Sequence, residues 1–173
     1  INLGQTVFDL AEAIGTINIE GNIMSANGAN LNLDKSEGSL FSIGSNFHVD
    51  PENPNIESIP QQIAFTFIYF TQAGFLSPTT NIDSANYDLS GVLTDIPTGS
   101  SNLYQIQKIY LSTSGLELVQ YGQALYGSIS DAKNSIGVDP VISIGDRPTL
   151  ILRAYLILYR DTTDLSDPLN VFI

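Results

Sequence analysis

The chain has no cysteine, a single histidine and only six basic residues in 173. Without cysteine there are no disulfides, no thiolate zinc site and no cysteine nucleophile. The basic residues Lys35, Lys108, Lys133, Arg147, Arg153 and Arg160 are scattered among eighteen acidic ones, for a net charge of -12. Nucleic-acid binding needs a clustered positive footprint that displaces counterions, so no nucleic-acid partner is expected. An anionic membrane surface would repel such a chain. No stretch approaches the ~18 apolar residues of a spanning helix, so no membrane insertion is expected. Residues 1–20 carry no basic leader ahead of an apolar run, and no signal peptide is recognised. The chain opens on Ile1 rather than Met and stops abruptly at Ile173, from which a fragment of something longer is expected.

What the chain has instead is alternation of polar and apolar residues with a period near two, the signature of strands. At this length roughly 70% of the unfolded surface can be buried, enough for one domain without covalent staples. Residues 16–20 (TINIE) alternate, Gly21-Asn22 follows, and Ile23-Met24-Ser25 resumes, which predicts a hairpin turning at Gly21-Asn22. NLNL (30–33) and LFSI (40–43) repeat the pattern, with turns at Asn27-Gly28 and 44–46. Short, evenly spaced strands predict an all-β, antiparallel β-sandwich-like domain with one or two short helices.

The stretch DPENPN (50–55) cannot run as a central strand, because proline lacks the ladder donor. It divides an N-terminal β-hairpin or linker portion, residues 1–46, from a main β-sandwich domain, residues 47–173. Ile63–Gln72 is the densest aromatic strand, with Phe65, Phe67 and Tyr69 on one face and Ile68 and Phe70 on the other. Residues 73–101 are punctuated by Gly74, Pro78, Gly91, Pro97 and Gly99 into short extended pieces.

Tyr104–Ser112 and Leu116–Tyr121 read as a hairpin, with Gly115 supplying the positive φ of its turn. A two-residue turn sets Leu111 opposite Leu118, and a three-residue loop shifts the pairing by one. Ile129, Ala132 and Ile136 share a helical face behind Ser128, whose spacing to Asp131 resembles a capping box, with Gly137 as the C′ residue. A second helix, or an extended linker, is expected near residues 8–14. Thr149–Arg160 is the last strand: Leu150, Leu152, Ala154, Leu156 and Leu158 form one apolar face. Ile151, Arg153, Tyr155, Ile157 and Tyr159 form the other, suited to a subunit interface or a wet sheet surface.

Few residues carry chemistry. Gly122 and Gly127 match neither the P-loop nor the dinucleotide spacing, and read as a strand terminator and a helix lead-in. His48, Asp50 and Glu52 alternate like metal ligands, but Pro51 breaks the strand and one histidine cannot make a two-histidine triad. Asp161, Asp164 and Asp167 form a carboxylate-rich loop without the EF-hand spacing, explained by Asx-turns. A glycosidase needs two carboxylates roughly 5–10 Å apart, and nothing singles out a pair. No catalytic, cofactor-binding or metal residue is assigned, and no cofactor is expected.

FHVDPENPN (47–55), QKIYLSTSGLELVQYGQ (107–123), and AYLI (154–157) running into TDLSDP (163–168) resemble, in order and spacing, virion structural proteins of tailed bacteriophages. The resemblance covers residue 16 to the end, and its most specific element is QYGQ (120–123). It implies a β-rich, non-enzymatic module of a tail fibre or similar appendage, located in the virion, trimeric, with other virion proteins as partners. The alternative is a carbohydrate-binding β-sandwich that meets a host surface glycan through Tyr104, Tyr110 or Tyr126. A two-layered domain covers one face of each sheet, so strands apolar on both faces predict a homotrimer. Its contact is expected at or near Ile151, Tyr155 or Ile157.

Overall fold

The computed structural model describes residues 2–143 and 150–173. Arg147 and Thr149, the expected first residue of the last strand, lie outside the described residues. The chain begins with helix α1 (Leu3–Ile14), followed by strands β1 (Ile17–Gly21), β2 (Met24–Ala26), β3 (Leu33–Lys35), β4 (Gly38–Phe41) and β5 (Ile56–Ile59). Next come β6 (Phe67–Thr71), β7 (Gly74–Thr79), β8 (Asn86–Leu89), β9 (Val92–Asp95), β10 (Tyr104–Ser112), β11 (Glu117–Gln120) and β12 (Leu125–Tyr126). Helix α2 (Ile129–Ser135), β13 (Leu150–Tyr159) and β14 (Val171–Phe172) complete it. The fold is mostly β and sandwich-like, with two helices, as the alternation predicts.

The N-terminal strands make one long interrupted hairpin. Gly21 pairs with Gly38 and Met24 with Lys35 in a single continuous register, bridged where Asn22 N–H donates to Glu37 O (3.1 Å). The turn is therefore not at Gly21-Asn22 but at Asn27–Asn32. There Asn27 N–H donates to Asn32 O (3.0 Å), and Asn30 Nδ2 to Asn27 Oδ1 (3.1 Å). Asparagine side chains that mimic backbone turns outweigh the Gly-Asn signal six residues earlier.

The main sheet runs β14-β13-β10-β11-β6-β7, with β12 also on β10. All its pairs are antiparallel except β11 with β6. The β10–β11 loop has three residues: Tyr110 faces Leu118, Leu111 faces Glu117, and Gly115 sits at φ 78°. Ile63–Gln72 shortens to β6, because Ala64 turns at φ 47° with its N–H held by Asp34 Oδ1 (2.8 Å). Phe65, Phe67 and Tyr69 nevertheless line one buried face in successive edge-on contacts, and Phe70 is buried on the other.

A bulge in β13 changes which side chains share a face. Ile109 pairs with Ala154 and Tyr110 with Leu152, leaving Arg153 as the extra residue. Ala154, Leu156 and Leu158 join the main core with Ile109, Met24 and Leu33. Beyond the bulge Ile151, not Leu150 or Leu152, takes that face, packing with Leu40, Ile59 and Leu111. The expected five-leucine-and-alanine stripe is thus broken by one residue. Arg153 bends towards the N-terminal hairpin, donating to Gly21 O (3.1 Å) and Asn22 O (3.3 Å).

The second face is covered from within the chain. Helix α2 lays Ala132 on Ile106 and Ile157, with Tyr104, Tyr126 and Tyr155 around them. Ser128 caps it, accepting from Asp131 N–H (3.0 Å) while its hydroxyl donates to Asp131 Oδ2 (2.8 Å). Gly137 is not in the left-handed region expected of a C′ residue. The helix ends instead in a turn where Val138 and Asp139 N–H groups share Ser135 O (3.0 and 2.8 Å).

Candidate functional site

The expected interface residues are occupied. Ile157 is fully buried under α2, Tyr155 packs beside it, and Ile151 belongs to the Leu40–Ile59–Leu111 cluster. Within one chain α2 covers part of the second face, and the bulge at Arg153 moves Ile151 to the first. What remains open is the other half of that face. A cleft of about 450 Å³ lies between Ile68, Phe75, Leu116, Leu118 and Leu150. Phe75, Leu116 and Leu152 beside it are 48%, 42% and 37% exposed.

A second uncovered apolar surface is α1, which has no buried residue. Its N-cap Asn2 accepts from Gln5 N–H (3.3 Å), and Gly15 closes it by donating to Ala11 O (2.9 Å). Leu3, Val7, Leu10 and Ile14 are 72%, 45%, 50% and 40% exposed. Their spacing of four, three and four residues puts all four on one stripe. The stripe was readable in the sequence as a heptad pattern and was missed, because the segment reads equally as a linker.

Two buried charged clusters were also missed. Lys108, on the α2 side of β10, pairs with Asp139, and its Nζ also donates to Pro140 O (2.8 Å). Tyr126 donates to Asp139 Oδ1 (2.6 Å), and burial, first, together with that carboxylate raises the phenol's pKa. The second pairs Lys35 with Asn22, with the Glu117 carboxyl near enough to act on Lys35 electrostatically, and all three are 1% exposed or less. A signal existed: Lys35 shares a strand face with Leu33, and Glu117 with Val119. Lys35 Nζ donates to Pro60 O (2.8 Å), Ser36 O (3.1 Å) and Asn22 Oδ1 (3.3 Å). Burial lowers its pKa, against the attraction of Glu117. Burial likewise pushes Glu117 up to about 7, offset by Lys35 and by hydrogen bonds from the backbone and Gln62. Glu117 Oε1 has no hydrogen-bond partner.

The residues singled out for chemistry are held in structural roles. A Cβ on Gly122 would lie 2.8 Å from Gln105 Oε1 and 2.9 Å from Gln105 Cβ, so close packing explains that glycine. The neighbouring Tyr121 stacks on Tyr69 (4.1 Å between centroids), and Gln120 fastens the 140–142 loop through Pro140 O and Ile142 N–H. Gly127 immediately precedes the Ser128 cap. His48 stands edge-on to Phe47. Asp50 caps a turn through Glu52 and Asn53, whose hydrogen bonds hold its carboxyl below the usual range. Among the described residues no group of three His, Asp or Glu side chains is placed to hold a metal ion.

In the C-terminal loop Asp161 pairs with Arg160 (2.5 Å), Asp164 accepts from Ser166, and Asp167 from Leu169 N–H and Asn170 Nδ2. These are Asx-turns bordering an open cleft of about 430 Å³ that includes Tyr159 and Asn170. The tyrosines considered for glycan contact are only partly accessible. Tyr104 stands edge-on to Tyr159 (5.2 Å), Tyr110 packs on Phe70 (5.8 Å), and Tyr126 is tied to Asp139. No protein-family model, no curated protein and no solved structure matches the chain.

Proposed function

We propose that this chain is a non-enzymatic structural module of a bacteriophage virion appendage, a tail fibre or similar, that assembles with its own copies as a homotrimer. The observation that carries the reading is the uncovered stripe of α1. Leu3, Val7, Leu10 and Ile14 fall on successive d, a, d and a positions of a heptad, with β-branched residues at a and leucine at d. Such a seam is self-complementary, since each knob fits a hole on an identical helix. Valine and isoleucine at a with leucine at d by themselves favour two strands; Gly4, Thr6, Ala11 and Ala13 at the flanking positions are small and uncharged and leave room beside the seam, and the three-fold number is taken from the sequence resemblance. The half-open second face adds apolar surface on the globular part. The sequence resemblance supplies the appendage and, with it, other virion proteins as partners. Light scattering should give a mass near three chains, and Leu10→Asp should reduce it to one while the strand signal of the circular dichroism spectrum is retained. A monomer at every concentration would overturn the reading; a stable dimer would replace the three-fold assembly.

A host-glycan-binding module is a second reading, favoured by the open cleft that sets Tyr159 beside Asp164 and Asn170. An aromatic face next to amide and carboxylate acceptors is what a sugar ring needs. Glycan binding lost on Tyr159→Ala without change of mass would support it.

A further inference from the structure

The geometry points to a second contact between copies of this chain, made by the end of the β1-β4-β5 sheet from which α1 departs. It rests on the homotrimer proposed above and adds a part of the globular body to the helical seam. Three strand ends meet there in one cross-strand row. Ile17 opens β1 and pairs with Phe41, the last residue of β4, which pairs with Ile56, the first of β5. Leu40, next to Phe41, points the other way into the cluster with Ile59 and Leu111, so the row lies on the outer face of the sheet. Ile17 is 49% and Ile56 36% exposed, and Phe41 is half-buried.

The apolar character of this face is confined to that end. The next row along the sheet is Glu20, Ser39 and Ser58, and Ser39 Oγ donates to Glu20 Oε1 (3.3 Å). The loop 42–55, which joins β4 to β5, leaves from the same end and is held in shape by its own bonds. Ser42 N–H donates to Asn55 O (2.9 Å), Gly44 N–H to Asn55 Oδ1 (2.8 Å) and Asn46 N–H to Pro54 O (2.9 Å). This tied loop nevertheless leaves Phe47 57% and Val49 82% exposed. Large apolar side chains held in water beside an apolar row, with a polar row behind it, have the make-up of an interface core and its rim.

Two properties of α1 call for a further copy of the chain there. The first is area. Its four apolar side chains can remove about 300–500 Å² from water, against about 800 Å² per partner in a stable contact. Twelve residues, under two heptads, are also close to the length below which a helix is marginal by itself. A trimer seamed by α1 therefore needs surface beyond it. The second property is connectivity. Ile17 follows Ile14, the last knob of the stripe, by three residues, a reach of about 10 Å. When three α1 helices gather, the Ile17 end of each sheet gathers with them. Ile17 of the three copies then lies nearest the axis, and Phe41, Ile56 and the 42–55 loop extend the contact outwards.

The chain has no cysteine, so single introduced cysteines report proximity between copies without background. A short bis-maleimide should join Ile17→Cys chains to one another and leave Leu93→Cys chains, labelled on β9, unjoined. Val49→Asp changes an exposed loop position and should raise the concentration of half-assembly about tenfold in light scattering, with the circular dichroism spectrum retained. A trimer that Leu10→Asp disperses, but in which Ile17→Cys stays unjoined and Val49→Asp changes nothing, overturns this contact and leaves the helical seam standing. Equal joining of both cysteine variants would report collision alone and also count against it. A trimer weakened by Val49→Asp and indifferent to Leu10→Asp supports the contact and removes the seam. A wild-type monomer at every concentration overturns both.

Discussion

Tyr69 and Tyr121 lie ring on ring, and both hydroxyls end on Asp83: Tyr69 accepts from its N–H (2.8 Å) and Tyr121 donates to its Oδ2 (2.9 Å). Tyr69 also donates to Gln107 Oε1 (2.9 Å), and Gln107 Nε2 returns to Asp83 O (2.7 Å). The loop before β8 is thus sewn to the main sheet through the core. Burial, foremost, raises the pKa of both phenols, so they remain protonated donors. Tyr69→Phe keeps the ring but strands Asp83 N–H and Gln107 Oε1. We expect a loss of about 1–3 kcal/mol, read as a shift of the urea midpoint at constant slope.

Glu117 makes stability depend on pH in the direction opposite to most carboxylates. Its folded pKa of about 7 exceeds its ordinary value of 4.5, so the folded state binds the proton more tightly. Its contribution is complete below pH 4.5, declines as pH rises towards 7, and levels off above. The decline is on the order of 3 kcal/mol. Wild type minus Glu117→Gln, followed by urea unfolding from pH 4.5 to 8, should show this slope. A difference that rises with pH would contradict the assignment.

Two glycines should respond differently to substitution. Gly115→Val places a β-branched residue at φ 78° and should cost about 1–2 kcal/mol. Gly122→Ala should cost more than its propensity, because the new methyl must displace the Gln105 side chain. Calorimetry checks both. A measurable ATP or NAD affinity lost on changing Gly122 would refute a packing role.

Chelation should leave the melting temperature unchanged, since Asp164 and Asp167 already spend their oxygens on turn donors. A calcium-dependent rise of several degrees would show that the Asp161–Asp167 loop rearranges to bind the ion.

How far the sequence reveals this protein depends on how local each feature is. The β10–β11 hairpin is legible because Gly115 and its flanking apolar runs are neighbours in the chain. Of the two turns expected in the N-terminal strands, the one at Asn27-Gly28 is present within Asn27–Asn32, and the one at Gly21-Asn22 is replaced by continuous pairing, since the deciding bonds join Asn27, Asn30 and Asn32. The bulge at Arg153 leaves no mark in alternation, since apolar residues stand on both sides of it. Lys35 and Glu117 lie far apart in the chain and come within electrostatic reach only when β3 and β11 are placed. Their inward positions are readable one by one, but their proximity is not.

The parallel pairing of β6 with β11 bears on the expected order of folding. β11 bonds to β10 on one edge and to β6 on the other, and the first pairing is local in the chain while the second is not. The local hairpin is cheap in loop entropy, whereas the β6–β11 closure spans Phe67 to Glu117 and the β10–β13 ladder also awaits distant residues. The β10–β11 turn should therefore be structured in the transition state and the outer strands should join later. Gly115→Val would then slow refolding, while changes on β7 or β14 would chiefly speed unfolding.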